Sequence, residues 1–298
     1  MGGLARRATI LDSLHQKEDP VLLLDAGRVF PHLQIPISRL KAKLSLKIME
    51  RMGYDALNLS SNELAFGKIF WEDVSADFSF PLVTSNLIDK ISGRAWGKRY
   101  LIKEKGGITV AILGIMPVNY LRHQISYPNF TIIPPEEALK ALVPEVKEKA
   151  DLVVLLSSCG VNETARLIEG IEGIDLVIAS GKKGLKGNPL DDPTPIVQPG
   201  GKRVGIFKIT LSDDGSIAKK ANRFIFLGQE IALDEEVEKI IREDLSEEAL
   251  AKWKAEQKAK YEAQQKQIQE LQKLSPEEYI NLIRQRNRIQ EEKNNEDL

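Results

Sequence analysis

Apolar positions along this chain fall into two rhythms. Leu4, Ala8, Leu11 and Leu14 (or His15) recur at helical spacing over residues 3–16. Ile37, Leu40, Leu44, Ile48 and Met52 mark a second amphipathic helix, which Gly53 should stop. Short apolar runs lie between such segments. Val21-Leu-Leu-Leu-Asp25 reads as a buried strand, and further strands are predicted at 55–59, 81–85, 99–103 and 108–114. The last two are joined across Gly106-Gly107 as a hairpin. Pro134-Pro135-Glu136-Glu137 opens a helix carrying Leu139, Leu142, Val143 and Val146, with Pro144 as a candidate bend. Strands follow at 151–156, 174–178, 195–197 and 204–211, and Asp213-Asp214-Gly215 turns the chain toward a last one around Phe224–Phe226. Strands alternating with helices predict a layered α/β domain.

After residue 230 the rhythm changes. A helix is predicted from Asp234 to Asp244, a longer one starts at Ser246-Glu-Glu, and Ser275-Pro276-Glu277-Glu278 carries the N-cap, first-position proline and acidic third position of a restart. Leu245, Trp253, Ile268, Leu271 and Leu274 are too sparse for a coiled-coil seam. From Ala232 onward there are seventeen acidic and twelve basic residues, against 26 acidic and 30 basic before it. The division expected is therefore residues 1–230 as one domain and 231–298 as a charged helical extension, either solvated or a docking arm for a protein partner. Neither charge balance is the concentrated basic face that nucleic acid requires. No run of about eighteen apolar residues exists to span a bilayer, and Met1-Gly-Gly-Leu-Ala-Arg-Arg lacks the apolar core of a signal peptide. A single cysteine, Cys159, excludes an internal disulfide. Three histidines, His15, His32 and His123, show no ligand spacing and read as surface or packing residues.

One stretch organises the rest: Gly53-Tyr-Asp-Ala-Leu-Asn-Leu-Ser-Ser-Asn-Glu-Leu-Ala-Phe-Gly67, a helix stop, a short strand, then a polar loop opening into another helix. It resembles the signature loop of 5'-nucleotidase-type metallophosphoesterases (calcineurin-like phosphoesterases). That loop reads Gly-Tyr-Asp-Ala, a strand, then Gly-Asn-His-Glu. Gly2-Gly-Leu-Ala-Arg-Arg, Val21 to Gly27, Phe80 to Asn86, Ile108 to Ile115 and Thr194 to Gly200 fall where the family has matching segments. The resemblance covers roughly residues 2–230. It extends to the nucleotidase-like relatives that carry cysteine or selenocysteine. It implies a layered metallophosphoesterase-like sheet sandwich flanked by helices, here with a helical C-terminal extension. It also implies an exported, periplasmic protein if a signal segment precedes Met1.

The family holds two divalent metals with Asp, Asn and His from five loops, and the metals activate a water against a phosphate ester. The first segment, Asp-x-His, is expected before Met1. That would leave an open sheet position beside Val21–Asp25, available to a protein partner. In the others Arg28 replaces the bridging Asp, Ser61 the metal-binding Asn, Asn62 the catalytic His, and Ser158 the His of a Ser-His pair. Gly181 and Lys183 fall on the histidines of Gly-His-Thr-His. A cation at position 28 repels metal ions, so no metal and no cofactor are expected. Arg28, Ser61, Asn62, Lys182 and Lys183 instead form a candidate site for a phosphate-like anion, the plainer reading being a relic site with solvated lysines. Cys159, beside the fourth segment, is either a small packed hydrophobe or a redox thiol. Three functions follow: a non-catalytic or redox-modified descendant of the nucleotidase fold that binds an anion or a partner, a metal-dependent phosphoester hydrolase with unusual ligands, or a thiol redox protein.

Overall fold

The computed structural model describes residues 2–17, 20–31, 37–90, 92–118, 130–181, 194–212 and 217–273. His32, His123, Lys182, Lys183, the turn at 213–215 and the restart at 275–278 lie outside them.

The chain opens with α1 (Gly2–Lys17), which buries Ala5, Ala8, Leu11 and Leu14 at three-residue spacing, the single stripe of an amphipathic helix. β1 (Leu24–Asp25) pairs in parallel with β2 (Ala56–Asn58), and β2 pairs with β3 (Leu82–Val83). Between the first two strands runs α2 (Ile37–Arg51), which buries Leu44, Leu46, Ile48 and Met49. It stops at Gly53, whose φ of 75° is a left-handed conformation that costs glycine little. β2 leads into α3 (Ser61–Leu64) and α4 (Gly67–Val74).

A second sheet has the order β10-β9-β8-β6-β5, from β5 (Leu101–Lys105), β6 (Ile108–Ile115), β8 (Leu152–Ser157), β9 (Leu176–Ala179) and β10 (Ile196–Val197). β5 and β6 form the expected antiparallel hairpin, and the rest pair in parallel. Strand alternation divides β6 between two cores. Val110 and Ile112 face the first sheet with Ala26, Ala56, Val83, Val154 and Leu156. Ala111, Leu113 and Ile115 face α5 (Pro135–Lys147), where Leu139, Leu142, Val143 and Val146 cover them. α5 continues through Pro144. α6 (Val161–Ile168) follows β8. Where the sheets meet at their strand ends there is no room to spare. A Cβ on Gly114 would sit 2.4 Å from the Val83 carbonyl oxygen and 2.6 Å from Asn58 Oδ1.

Two short strands, β4 (Leu87–Asp89) and β7 (Phe130–Ile132), pair antiparallel, and neither was foreseen from the sequence. The strand expected near Phe224–Phe226 is longer: β12 (Ile217–Phe226) pairs along its length with β11 (Arg203–Leu211). α7 (Glu235–Asp244) and α8 (Glu247–Gln272) follow. The chain forms two units, Met1–Ile241 and Arg242–Leu298. Within the first, the lead-in to α7 is tied down. Arg51 holds Asp12, Asp234 and Glu236, Thr9 Oγ1 donates to the Ala232 carbonyl at 2.8 Å, and Val237 is fully buried. Among the described residues no helix is long and apolar enough to cross a membrane.

Candidate functional site

The strand ends of both sheets are drawn together by a buried carboxylate, Glu63, and a buried amide, Asn58. Ser60 caps α3, and Glu63 three residues on completes a capping box. Glu63 does more than cap. Fully buried, it accepts from Ser60 N at 2.9 Å and from Ser60 Oγ, and also from Arg28 N at 3.1 Å and Phe30 N at 3.0 Å. One carboxylate thus fixes the loop after β1. Phe30 locks the far end of that loop by stacking on Trp71 and meeting Phe66 edge-on at 5.0 Å between ring centroids. Asn58 Nδ2 donates to the Ala26 carbonyl at 3.2 Å and to the Ile115 carbonyl at 3.0 Å, joining the loop to the second sheet.

The residues singled out from the sequence divide into two kinds. Ser158 Oγ is buried and donates to the Ile115 carbonyl at 3.2 Å and, more loosely, to that of Leu59 at 3.4 Å. Asn62 Nδ2 donates to the Phe30 carbonyl at 3.2 Å. These side chains bind the protein's own loops. Ser61 Oγ is buried with no hydrogen-bond partner among the described residues. Arg28 is different. It is exposed, and its φ of 69° is left-handed, a conformation that a non-glycine residue adopts at a cost. No described carboxylate lies within ion-pair distance of its guanidinium.

Arg28 and Gly181 line a cavity of about 600 Å³ bounded by α1, the β1 loop, the end of β9 and residues 198–205. Ser61, Asn62 and Ser158 do not line it. Arg7, Arg28, Lys41 and Arg203 supply four cations to the wall, and Asp25 a single carboxylate. Arg7 stands 4.0 Å from Asp25 and donates to Tyr54 Oη at 3.3 Å. Burial pushes the Asp25 carboxyl up to about 6, against the pull of Arg7 and of the Gly27 amide. Arg203 is held by the Pro199 carbonyl at 2.6 Å and lies 4.7 Å from the centroid of the Phe224 ring. Sequence reasoning found Arg28 but missed Arg7, Lys41 and Arg203, which only the fold brings together. The one sequence cue was Arg7's place beside the buried Ala5–Ala8 stripe.

Cys159 is half-buried and packs against the core under α5. Burial pushes its thiol up to about 11, and the Ser157 hydroxyl only partly offsets this. Such an environment withholds the thiolate that redox chemistry uses. His15 is exposed at the end of α1.

No family model matches the chain. It is 28% identical over 173 residues to the uncharacterized metallophosphoesterase YunD of Bacillus subtilis, covering 56% of this chain and 36% of that protein. It is 29% identical over 175 residues to a 5'-nucleotidase of Vibrio cholerae, covering 53% of this chain and 30% of that one. The chain thus spans about a third of the length of these curated relatives. Among solved structures, the calcineurin-like phosphoesterase YfkN from Bacillus subtilis superposes with a TM-score of 0.68 at 19% identity, over 84% of this chain and 90% of that one. These likenesses support a 5'-nucleotidase-type metallophosphoesterase domain, and the fold is that of the calcineurin-like phosphoesterases.

The expectation of no cofactor is overturned by this likeness, because the class consists of metal-dependent phosphoesterases that bind divalent ions. Its physical flaw lay in counting losses at matched positions. Metal affinity belongs to a whole donor set, which other oxygen and nitrogen donors can complete. The matched positions themselves do not suit a two-metal centre. They present the Arg28 cation, the Ser61 hydroxyl, the Ser158 hydroxyl already donating to carbonyls, and Gly181 without a side chain. Among the described residues no three His, Cys, Asp or Glu side chains gather as a cation site. A metal in this chain would draw on donors beyond these.

Proposed function

We propose that the domain is a binding descendant of the metallophosphoesterase fold, holding a small phosphate-like anion at Arg28 where its relatives' fold performs ester chemistry. The observation that carries this reading is the charge of the cavity wall: four cations face one carboxylate. Of the four, Arg28 has its backbone fixed by Glu63 and its guanidinium free of described carboxylates. A planar, permanently charged fork of this kind suits phosphate or sulfate. Ser61 and Asn62, also candidates for the anion, lie on α3 beside the loop, and Asn62 is tied to Phe30. Lys182 and Lys183, the remaining candidates, lie outside the described residues.

Calorimetric titration with inorganic phosphate, sulfate and AMP tests the proposal on wild type and Arg28→Ala, each with and without added manganese. The reading expects saturable binding by wild type that weakens as salt rises, and at least about tenfold weaker binding by the variant. Equal binding by both proteins, or none by either, overturns it. Manganese-dependent hydrolysis of AMP would instead favour the metal-dependent hydrolase that the class describes.

A further inference from the structure

The net positive charge of the first domain sits in one element. Residues 202–226 carry six basic and two acidic side chains, whereas the rest of residues 1–231 carries twenty-four of each. Both acidic residues, Asp213 and Asp214, belong to the turn outside the described residues, and the strands β11 and β12 themselves hold no carboxylate. Strand alternation sorts the side chains between two faces. Phe207, Ile209, Leu211 and Ile217 pack against the core between the sheets. Ile206, Lys208 and Thr210 therefore take the outer face of β11, opposite Arg223, Ala221 and Lys219 of β12. Lys208, Lys219 and Arg223 are exposed, and so is Lys202 just ahead of the ribbon. The two strand lysines have short neighbours, Ala221 opposite Lys208 and Thr210 opposite Lys219. Their stems rise above the sheet, and the ammonium groups form its outermost layer. Half-exposed Ile206 and Ile225 lie among them.

We propose that the outer face of the β11–β12 ribbon docks on a bilayer surface rich in anionic lipid. Cations that stand above a two-stranded face meet a plane of phosphates more readily than they fill a groove. Three of the four are lysines, compact point charges that suit a diffuse array of lipid phosphates, whereas paired recognition of a single carboxylate favours the arginine fork. Ile206 and Ile225 give the face an apolar patch to set against the headgroup boundary. A single nucleic acid strand would call for aromatic side chains on which bases stack, and the outer face of the two strands has none. The proposal goes beyond the anion reading and does not draw on Arg28, so the two can fail separately.

The test is co-sedimentation of the full chain with vesicles of phosphatidylcholine alone and of phosphatidylcholine and phosphatidylglycerol in equal parts. Wild type should bind only the mixed vesicles, and the binding should be lost as salt approaches about 1 M, where the Debye length is ~3 Å. Each cation near an anionic surface contributes about fivefold to partitioning, so the triple variant Lys208→Gln, Lys219→Gln, Arg223→Gln should bind roughly a hundredfold more weakly. The charge-keeping triple Lys208→Arg, Lys219→Arg, Arg223→Lys should bind as wild type does. A control triple at exposed positions elsewhere, Lys98→Gln, Arg99→Gln, Lys140→Gln, changes the net charge equally and should cost less than about threefold. Failure of wild type to bind the mixed vesicles at low salt overturns the proposal, as does equal loss in the ribbon and control triples or in the charge-keeping triple. Binding to polyglutamate or to single-stranded DNA without binding to the vesicles overturns it as well.

Discussion

Two sides of one strand-end region have met different fates. Around Asn58, Asn62 and Ser158, polar side chains are turned onto the carbonyls of Ala26, Ile115 and Phe30, and the loops they join are buried. Around Arg28, the backbone is held in a costly conformation while the charged end faces a cavity with three further cations. A polar residue at these strand ends therefore serves in one of two ways. Its side chain is internal scaffolding, or it lines the cavity. Only the second kind retains something for a ligand to touch.

Glu63→Ala should break this division most severely. It strands the amides of Arg28, Phe30 and Ser60 in a buried setting, and urea unfolding should report a loss of roughly 3–5 kcal/mol. Ser158→Ala, which removes only long hydroxyl contacts, should cost about 1 kcal/mol or less. A loss of similar size in both variants would mean that Glu63 does not organise the loop.

The next largest effect is a pH dependence on the cavity side. The folded Asp25 carboxyl, pushed up to about 6, lies above its unfolded value near 4. The folded state therefore keeps this proton longer, and the associated stability is full below about pH 4 and declines as pH rises through 6. The expected decline is on the order of 2–3 kcal/mol in wild type relative to Asp25→Asn, read from denaturation midpoints between pH 4 and 7. A constant difference between the two proteins would remove the burial argument for Asp25. Cys159 sharpens the contrast with the smallest signal. Its thiol should react slowly with Ellman's reagent at pH 8 in the folded protein and rapidly in urea. Rapid reaction in the folded state would restore the redox reading.

What the sequence made legible depended on how strongly each element patterned its own residues. α5 was readable because Leu139, Leu142, Val143 and Val146 all face one core, and the β5–β6 hairpin because two glycines stand at its turn. β12 was mostly missed. Its middle, Lys219-Lys220-Ala221-Asn222, reads as polar loop, and only pairing with β11 makes it a strand. β4 and β7 are three residues each, too short to show a period. At the site, Arg28 was visible as a departure from a motif, and the Ser60-to-Glu63 capping box was there to be read. The wall formed with Arg7, Lys41 and Arg203 was not, because it joins positions almost two hundred residues apart through the packing of α1 and residues 198–205 against β1.

Arg28→Gly tests the central claim most directly, since it removes the charge and relieves the left-handed backbone in one change. Glycine adopts a φ of 69° freely, and its greater unfolded-state entropy roughly offsets that gain. Unfolding stability is therefore expected to stay within about 1 kcal/mol of wild type, while phosphate affinity falls by roughly tenfold or more. Unchanged phosphate affinity in this variant would contradict the account, because the strained arginine would then be holding nothing.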